Sequence, residues 1–387
     1  MIGMSAVIFI PDDTAKTGYP QPLMLQSVMG APLLAWLANA LFDSGVGRFF
    51  LVCHDRYVEA ARACLPAEAE VMTTMDSDPA DLLHVFLSTA EDAEHTITVV
   101  TGPAVYLPQL APQAAGRFPR VYGVSREELM QALDEHFSFA RFLLDNGSPM
   151  NEEQAMYSVA SPAELPEIAG LLQRNRLLAL ARTGVEIYDA SSCYVEPSVR
   201  VAPGARLLPG TMLRGKTVIG EEAVIGPWSV IDDSVIGARA VVNASQVRES
   251  RVGQEAVIGP YASVRGGCEL GRSVRAGSFV ELKNARLGEN TQVPHLAYLG
   301  DTEAGANCNF GCGVTTANFD RVQKHETVVG EGAFIGCNTA LIAPLQVGSG
   351  AYIGAGSTIT EDVPAQALGI APARPSNKKE WAAKHKK

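Results

Sequence analysis

The sequence predicts two domains of different class: an α/β N-terminal domain and an all-β parallel β-helix built from a hexapeptide repeat. Two observations carry this reading. From about Val201 to Val363 an aliphatic or small residue returns every six positions, at Val201, Leu207, Leu213, Ile219, Ile225 and Ile231, from Val252 to Leu282, at Val293, Leu299 and Phe310, and from Val329 to Ile359. Before that stretch, short apolar runs of strand type alternate with segments of helical period.

Residues 5–10 (SAVIFI) read as a buried strand. PLLAWLANALFDSG reads as a helix with apolar positions 33, 34, 37 and 41, stopped by Gly45. FFLVCH is a second strand, YVEAARACL and DLLHVFLSTA are helices, and TITVVTG is a third strand. This alternation predicts a small parallel sheet covered by helices. Ser125 and Glu128 form an S-x-x-E capping box that opens one helix running to Asn146-Gly147. A further helix from about Ala163 leads through GVEIYDASSCYV into the repeats, which sets the domain boundary between residues 184 and 200. The expected domains are 1–185, 186–365 and a basic tail, 366–387.

Each hexad can form one short strand and one corner, so three hexads make a triangular coil that bonds to its neighbours at the ~4.8 Å strand spacing. Gly or Ala follows the apolar residue in IGPWSV, IGCNTA and IGAGST, which suits a corner where φ is positive or space is short. The segment ANFDRVQKHETVVG interrupts the hexads between Thr316 and Val329. Such insertions gather on one face, often the binding face. Pro364 and the APARP string are expected to end the regular coil.

Composition narrows the function. A net charge of −11 argues against a nucleic-acid partner. The N-terminus has no basic segment, and its apolar run is too short for a signal peptide or membrane span, so a cytoplasmic protein is expected. Seven cysteines without a C-x-x-C pair point to free thiols in a reducing compartment, and no metal site is expected at Cys308 and Cys312. From Arg374 to Lys387 there are six Lys/Arg against one Glu, which is either a solvated terminus or a lid on a phosphorylated ligand.

The strings GPYASVRGG, FVELKNARLG, HLAYLGD, NFGCGVTTANFD, ETVVGEGAFIG and IAPLQVGSGAYIGAGSTITEDVP then identify a family. In their order and spacing, over roughly residues 186–365, they resemble the acetyltransferase domain of the bifunctional N-acetylglucosamine-1-phosphate uridyltransferase/glucosamine-1-phosphate acetyltransferase. The resemblance implies left-handed coils, a homotrimer with active sites between β-helices, and acetyl-CoA as co-substrate with no metal. It places His295 as general base, a task suited to an imidazole. Arg265, Lys283 and Lys324 match contacts to sugar and phosphate, and Tyr298, Asn309 and Asn318 match positions that hold the sugar or acetyl group. Asn309 also reads as a rung of an interior asparagine ladder. Cys337, Ala355 and Arg374 match the acetyl-CoA site, with a backbone N–H near Ala355 as oxyanion donor.

Three departures stand out. Phe319 replaces a tyrosine, Cys337 replaces a serine, and Arg374 lies two residues beyond its expected place. The N-terminal domain resembles the family's Rossmann-like nucleotidyltransferase in outline but has lost its chemistry. Its phosphate loop reads FIPDDTAKTGYPQPL, where Pro11 lacks an N–H, Asp12 and Asp13 repel phosphate and Gln21 replaces lysine. Pro103 stands where a Mg²⁺ aspartate is expected, and Asn175 is displaced. The leading expectation is N-acetyl transfer to glucosamine 1-phosphate or a related amino-sugar phosphate in the UDP-N-acetylglucosamine pathway. The alternatives are a uridyltransferase-related nucleotide-sugar enzyme and a non-catalytic trimer that binds sugar nucleotides.

Overall fold

A computed structural model describes residues 4–74, 80–90, 94–110, 119–134, 139–150, 155–371 and 379–381. The chain divides into two compact units, Met1–Leu180 with Val195–Pro197, and Ala181–Tyr194 with Ser198–Lys387.

The first unit is built on a six-stranded sheet. Its order is Glu70–Thr74, Arg48–Cys53, Ser5–Ile10, Thr96–Val100, Val121–Ser125, Ser148–Met150. The first four strands are parallel. Ser5–Ile10, Arg48–Cys53 and Thr96–Val100 are near-continuously apolar, as burial on both faces demands, whereas the edge strand Glu70–Thr74 is only partly buried. Ala6, Ile8 and Ile10 pack with Leu34, Leu37 and Leu41 of the helix Leu33–Asp43 on one side, whereas Val7 packs with Phe50, Leu83 and Phe86 on the other. The three helix leucines are fully buried, and each contributes roughly 1.5–3 kcal/mol.

The sheet is mixed rather than wholly parallel. Val121–Ser125 runs antiparallel to Thr96–Val100, and Ser148–Met150 antiparallel to that. A parallel return needs a long crossover, usually a helix. Here the intervening chain forms the strand Ala104–Tyr106, and no helix stands between them among the described residues. The Ser125 half of the capping box is present, with the Glu128 N–H donating to Ser125 Oγ at 3.4 Å. The helix it opens spans Arg126–Asp134, and a second helix spans Phe139–Asn146.

The second unit is a parallel β-helix. One wall has eleven strands, and the other two walls are joined as seventeen. The joining strands are Glu281–Leu287 and Tyr298–Ala304, which run round a corner with Asn284 and Asp301 at φ 49° and 48°. Leu207, Ile225, Val242, Ile258, Ala276, Val293, Phe310, Ile335 and Ile353 line the inside of the first wall, all at 0% exposure.

Coil length varies within this frame. Arg206 pairs with Val224, eighteen residues on, but Val241 pairs with Val257, sixteen on, and Asn309 with Phe334, twenty-five on. The long coil contains the inserted loop, which lies between the strands Thr315–Ala317 and Thr327–Val329. Thr316 takes the inward place between Leu299 and Leu341, and it is fully buried. Its hydroxyl accepts the Gly300 N–H at 2.8 Å, which removes the penalty of burying a polar group there.

Two expectations about corners and ends are corrected. The coil does not stop at Pro364, because Leu368–Gly369 pairs in parallel with Tyr352–Ile353. Corners are also not reserved for small residues: Trp228, Tyr261, Phe279 and Leu296 turn at φ 55°, 59°, 59° and 38°. All four project outward into solvent and so lie clear of the packed interior, Trp228 over Gly210 and Tyr261 stacked on Phe279 of the next coil, and the strain of about 1–3 kcal/mol is tolerated.

Candidate active site

The candidate residues fall into two groups on the β-helix, with Asn309 apart from both. The first group stands at the downstream edge of the second wall. Arg265 pairs with Lys283 and Lys283 with Gly300, so two cations stack on successive coils above a glycine. The inserted loop brings Lys324 against Lys283. That contact, with Arg265 also near, depresses the Lys283 pKa, while Asp301 opposes the shift. Glu281 pairs with Arg265 Nε at 3.1 Å.

Tyr298 and Asn318 close the group. A Cβ on Gly300 would meet the Tyr298 hydroxyl, and it would lie 2.7 Å from Asn318 Nδ2, so the glycine leaves room for both groups to converge. Asp301 accepts from Asn284 Nδ2 at 2.7 Å and from Asn318 Nδ2, which aims the Asn318 amide. The loop is held by Asp320. Its carboxylate accepts the N–H groups of Val322 and Gln323 at 2.7 Å each and meets His325 Nε2 at 2.7 Å. The Gln323 amide, then His325 and Val322, hold the Asp320 pKa far below the usual carboxylate range. The loop closes on itself through the His325 N–H to the Asn318 carbonyl, 2.8 Å.

The second group is a column on the corner that precedes this wall. Ser278 pairs with His295. Gln292 with Asn309 and Tyr298 with Thr315 bracket the next step, which stacks Cys312 on His295. Ile335 with Ile353 and Ala340 with Thr358 bracket the last, which stacks Ala355 on Cys337. The His295 side chain is exposed and makes no hydrogen bond among the described residues.

Ala355 lies three coils from His295, about 14 Å at ~4.8 Å per coil. Within one protomer, therefore, an Ala355 N–H does not meet a reacting atom held at His295. That N–H is unengaged among the described residues, while the Gly356 N–H beside it donates to the Cys337 carbonyl at 2.8 Å. Asn309 stands on the outer side of the first wall, between Gln292 and Phe334, with its neighbour Phe310 pointing in. An interior asparagine ladder is thus replaced by an outward amide. Arg374 lies outside the described residues.

Sequence reasoning missed Asp301, Asp320 and the corner stripe of Trp228, Tyr261, Phe279 and Leu296, which are 71%, 63%, 61% and 58% exposed. Tyr261 and Phe279 stack with ring centres 5.5 Å apart. The only signal was a bulky residue two places after the hexad apolar residue and glycine, as in IGPW and IGPY.

In the first unit, the loop after Ile10 turns its polar groups inward on itself. Asp12 accepts the Thr14 hydroxyl at 2.7 Å and pairs with Arg56, and these contacts, Thr14 first, lower its pKa. Asp13 accepts the Leu23 N–H at 2.9 Å, Gln21 Nε2 donates to the Leu25 carbonyl at 2.8 Å, and Asn175 accepts the Gln109 N–H at 3.0 Å. No group of three or more His, Cys, Asp or Glu among the described residues is placed to hold a metal ion. No helix among them is long and apolar enough to cross a membrane.

The triangular coils and their repeat define a hexapeptide-repeat β-helix protein with an α/β unit before it. Residues 326–361 match the family model described as bacterial transferase hexapeptide (six repeats). The chain is similar to the bifunctional protein GlmU of Brevibacillus brevis, 42% identical over 57% of this chain and 48% of the relative. It is likewise similar to GlmU of Clostridium perfringens, at 40% over 62% and 53%, and of Caldicellulosiruptor saccharolyticus, at 48% over 52% and 44%. The chain thus matches about half the length of these relatives. Among solved structures, the UDP-N-acetylglucosamine acyltransferase of Francisella novicida is 19% identical over 48% of this chain and 66% of that one, with a TM-score of 0.29.

Proposed function

We propose that the chain is an acetyl-CoA-dependent N-acetyltransferase acting on glucosamine 1-phosphate or a close amino-sugar phosphate. It works as a homotrimer whose clefts lie between neighbouring β-helices. The observation that carries this reading is the gathering of Arg265, Lys283 and Lys324 around Tyr298 and Asn318. Glu281 already neutralises Arg265 and Asp301 offsets part of the repulsion, but Lys283 and Lys324 still face each other, and a phosphate monoester offers two negative charges and several acceptor oxygens to both.

In this reading the cations seat the phosphate, while Tyr298 and Asn318 hold the sugar. His295 takes a proton from the amine as its nitrogen attacks the thioester carbonyl. The tetrahedral intermediate then collapses, the C–S bond breaks, and the thiolate leaves as free thiol with that proton. The open N–H at Ala355 supplies an oxyanion donor, and its height above His295 supports a second protomer contributing to each cleft. The exposed Trp228, Tyr261 and Phe279 stripe supports the same assembly, because a contiguous apolar surface favours burial. Cys337 and Arg374 are proposed to lie along the coenzyme A path. All seven cysteines are free, which supports a reducing, cytoplasmic location.

The test is thiol release with acetyl-CoA and glucosamine 1-phosphate, alongside sedimentation to establish the oligomer. Release that disappears in His295→Ala supports the reading. No release with any of several amino-sugar phosphates ends it.

A further inference from the structure

We propose that Cys312 and Cys337 form a dithiol modification site, which a peroxide closes to a disulfide across two coils, and that closure obstructs the corner along which an acetyl donor reaches His295. The cross-link stands on geometry alone, whereas its effect rests on the acetyltransferase reading above.

The two cysteines are far apart in sequence and adjacent in space. Phe310 pairs with Ile335 and Thr315 with Ala340, and the corner between these strands stacks Cys312 beneath Cys337. The Asn338 N–H donates to the Cys312 carbonyl at 2.7 Å, which fixes the two corners against each other. Neighbouring coils stand ~4.8 Å apart. A disulfide accepts Cα separations of roughly 4.4–6.8 Å. The Cys337 sulfur leans toward the lower coil, 2.9 Å from the place a Cβ on Gly311 would occupy, so the glycine beside Cys312 leaves it space.

The remaining thiols are withdrawn from this chemistry. Cys53, Cys64, Cys193, Cys268 and Cys308 are buried, whereas Cys312 is half-buried and Cys337 exposed. Burial raises the thiol pKa of Cys193, Cys268 and Cys308, and pushes that of Cys64 up to about 11. A peroxide therefore meets Cys337 first. Its thiolate sulfur takes one peroxide oxygen and becomes a sulfenic acid, and the other oxygen leaves as water. The Cys312 sulfur then attacks that sulfenic sulfur, the S–O bond breaks, and a second water departs. A thiol reductant reverses the step.

The column Ser278, His295, Cys312, Cys337, Ala355 gives the site its consequence. A bond between the third and fourth rungs fixes both sulfurs directly above the imidazole.

The experiment uses the full chain, reduced and then exposed to hydrogen peroxide. Peptide mapping is expected to find a Cys312–Cys337 cross-link with the loss of two hydrogens, and thiol release to fall at least tenfold and return with dithiothreitol. In Cys312→Ala, the ratio of oxidised to reduced rate is expected to stay near one. Peroxide that leaves these residues unlinked, or links either to another cysteine or to a second protomer, overturns the site. A mapped cross-link with unchanged turnover overturns the obstruction. If the reduced protein transfers no acetyl group, the acetyltransferase reading fails, and the peptide map alone decides the disulfide.

Discussion

Lys283 projects from the wall of the β-helix and Lys324 from the inserted loop, and the two ammonium groups meet closely enough that the second depresses the pKa of the first. Both residues are held in place from their own side. The loop is pinned through Asp320 and His325, and Lys283 is fixed in register between Arg265 and Gly300.

Replacing Lys324 with methionine is expected to move the Lys283 pKa up toward the ordinary lysine value, read by NMR titration of its Nζ. The sign follows from the lowered value. A lysine that binds its proton less well folded than unfolded opposes folding while charged, and the opposition fades as pH rises through the folded pKa. The variant should thus lose part of the wild type's gain in stability on the alkaline side. Its KM for the sugar phosphate should rise about tenfold or more, since a hydrogen bond to a charged group contributes roughly 1.5–3 kcal/mol.

His295→Ala is expected to lower kcat by about 10²–10⁴ while leaving the acceptor KM near wild type. Because the ring is exposed and bonds to nothing described in its own chain, circular dichroism and melting temperature should not change. A rise in KM with kcat unchanged would assign the ring to binding instead.

Gly300→Ala tests the convergence of Tyr298 and Asn318. The added methyl meets the Tyr298 hydroxyl end and the Asn318 amide, so the tyrosine must swing aside and the Asn318–Asp301 hydrogen bond must give, at a cost of about 1–3 kcal/mol. Acceptor binding, measured by calorimetry, should weaken severalfold. Unchanged binding would show that neither side chain touches the sugar.

Asp320→Asn removes the charge that gathers the loop amides. The carboxylate's depressed pKa means it supports the folded loop above the usual carboxylate range and loses that support as pH falls through the folded value. Hydrogen exchange at Val322, Gln323 and His325 should quicken in the variant at neutral pH, with the coils above and below unaffected.

Phe310→Ala should cost about 3–5 kcal/mol in denaturant unfolding, because the ring is fully buried among the inward residues of one wall. The same change at Phe334, which faces outward, should cost far less.

The inward residues of the β-helix were legible because every coil repeats the same demand for an apolar side chain. The count failed where hexads shorten, as from Ile231 to Ile236 and from Val242 through Val247 to Val252, and where Thr316 satisfies the interior with a hydrogen bond. The antiparallel strand at Val121–Ser125 was hidden because an alternating apolar run has no direction. His295, Lys283 and Lys324 were singled out through resemblance, which carries no information on their heights. Placing Ala355 three coils from His295 requires the length of each intervening coil, which only the register supplies. The corner aromatics were invisible to a rule that expects glycine wherever φ is positive.

The inserted loop leaves the ladder after Ala317 and returns at Thr327, and pairing resumes on both sides as though nothing had intervened. Its ends are therefore anchored by a scaffold indifferent to what lies between them. A segment held in this way behaves as an exchangeable cassette, and ligand preference can drift there across generations without any strand below or above having to be rewritten.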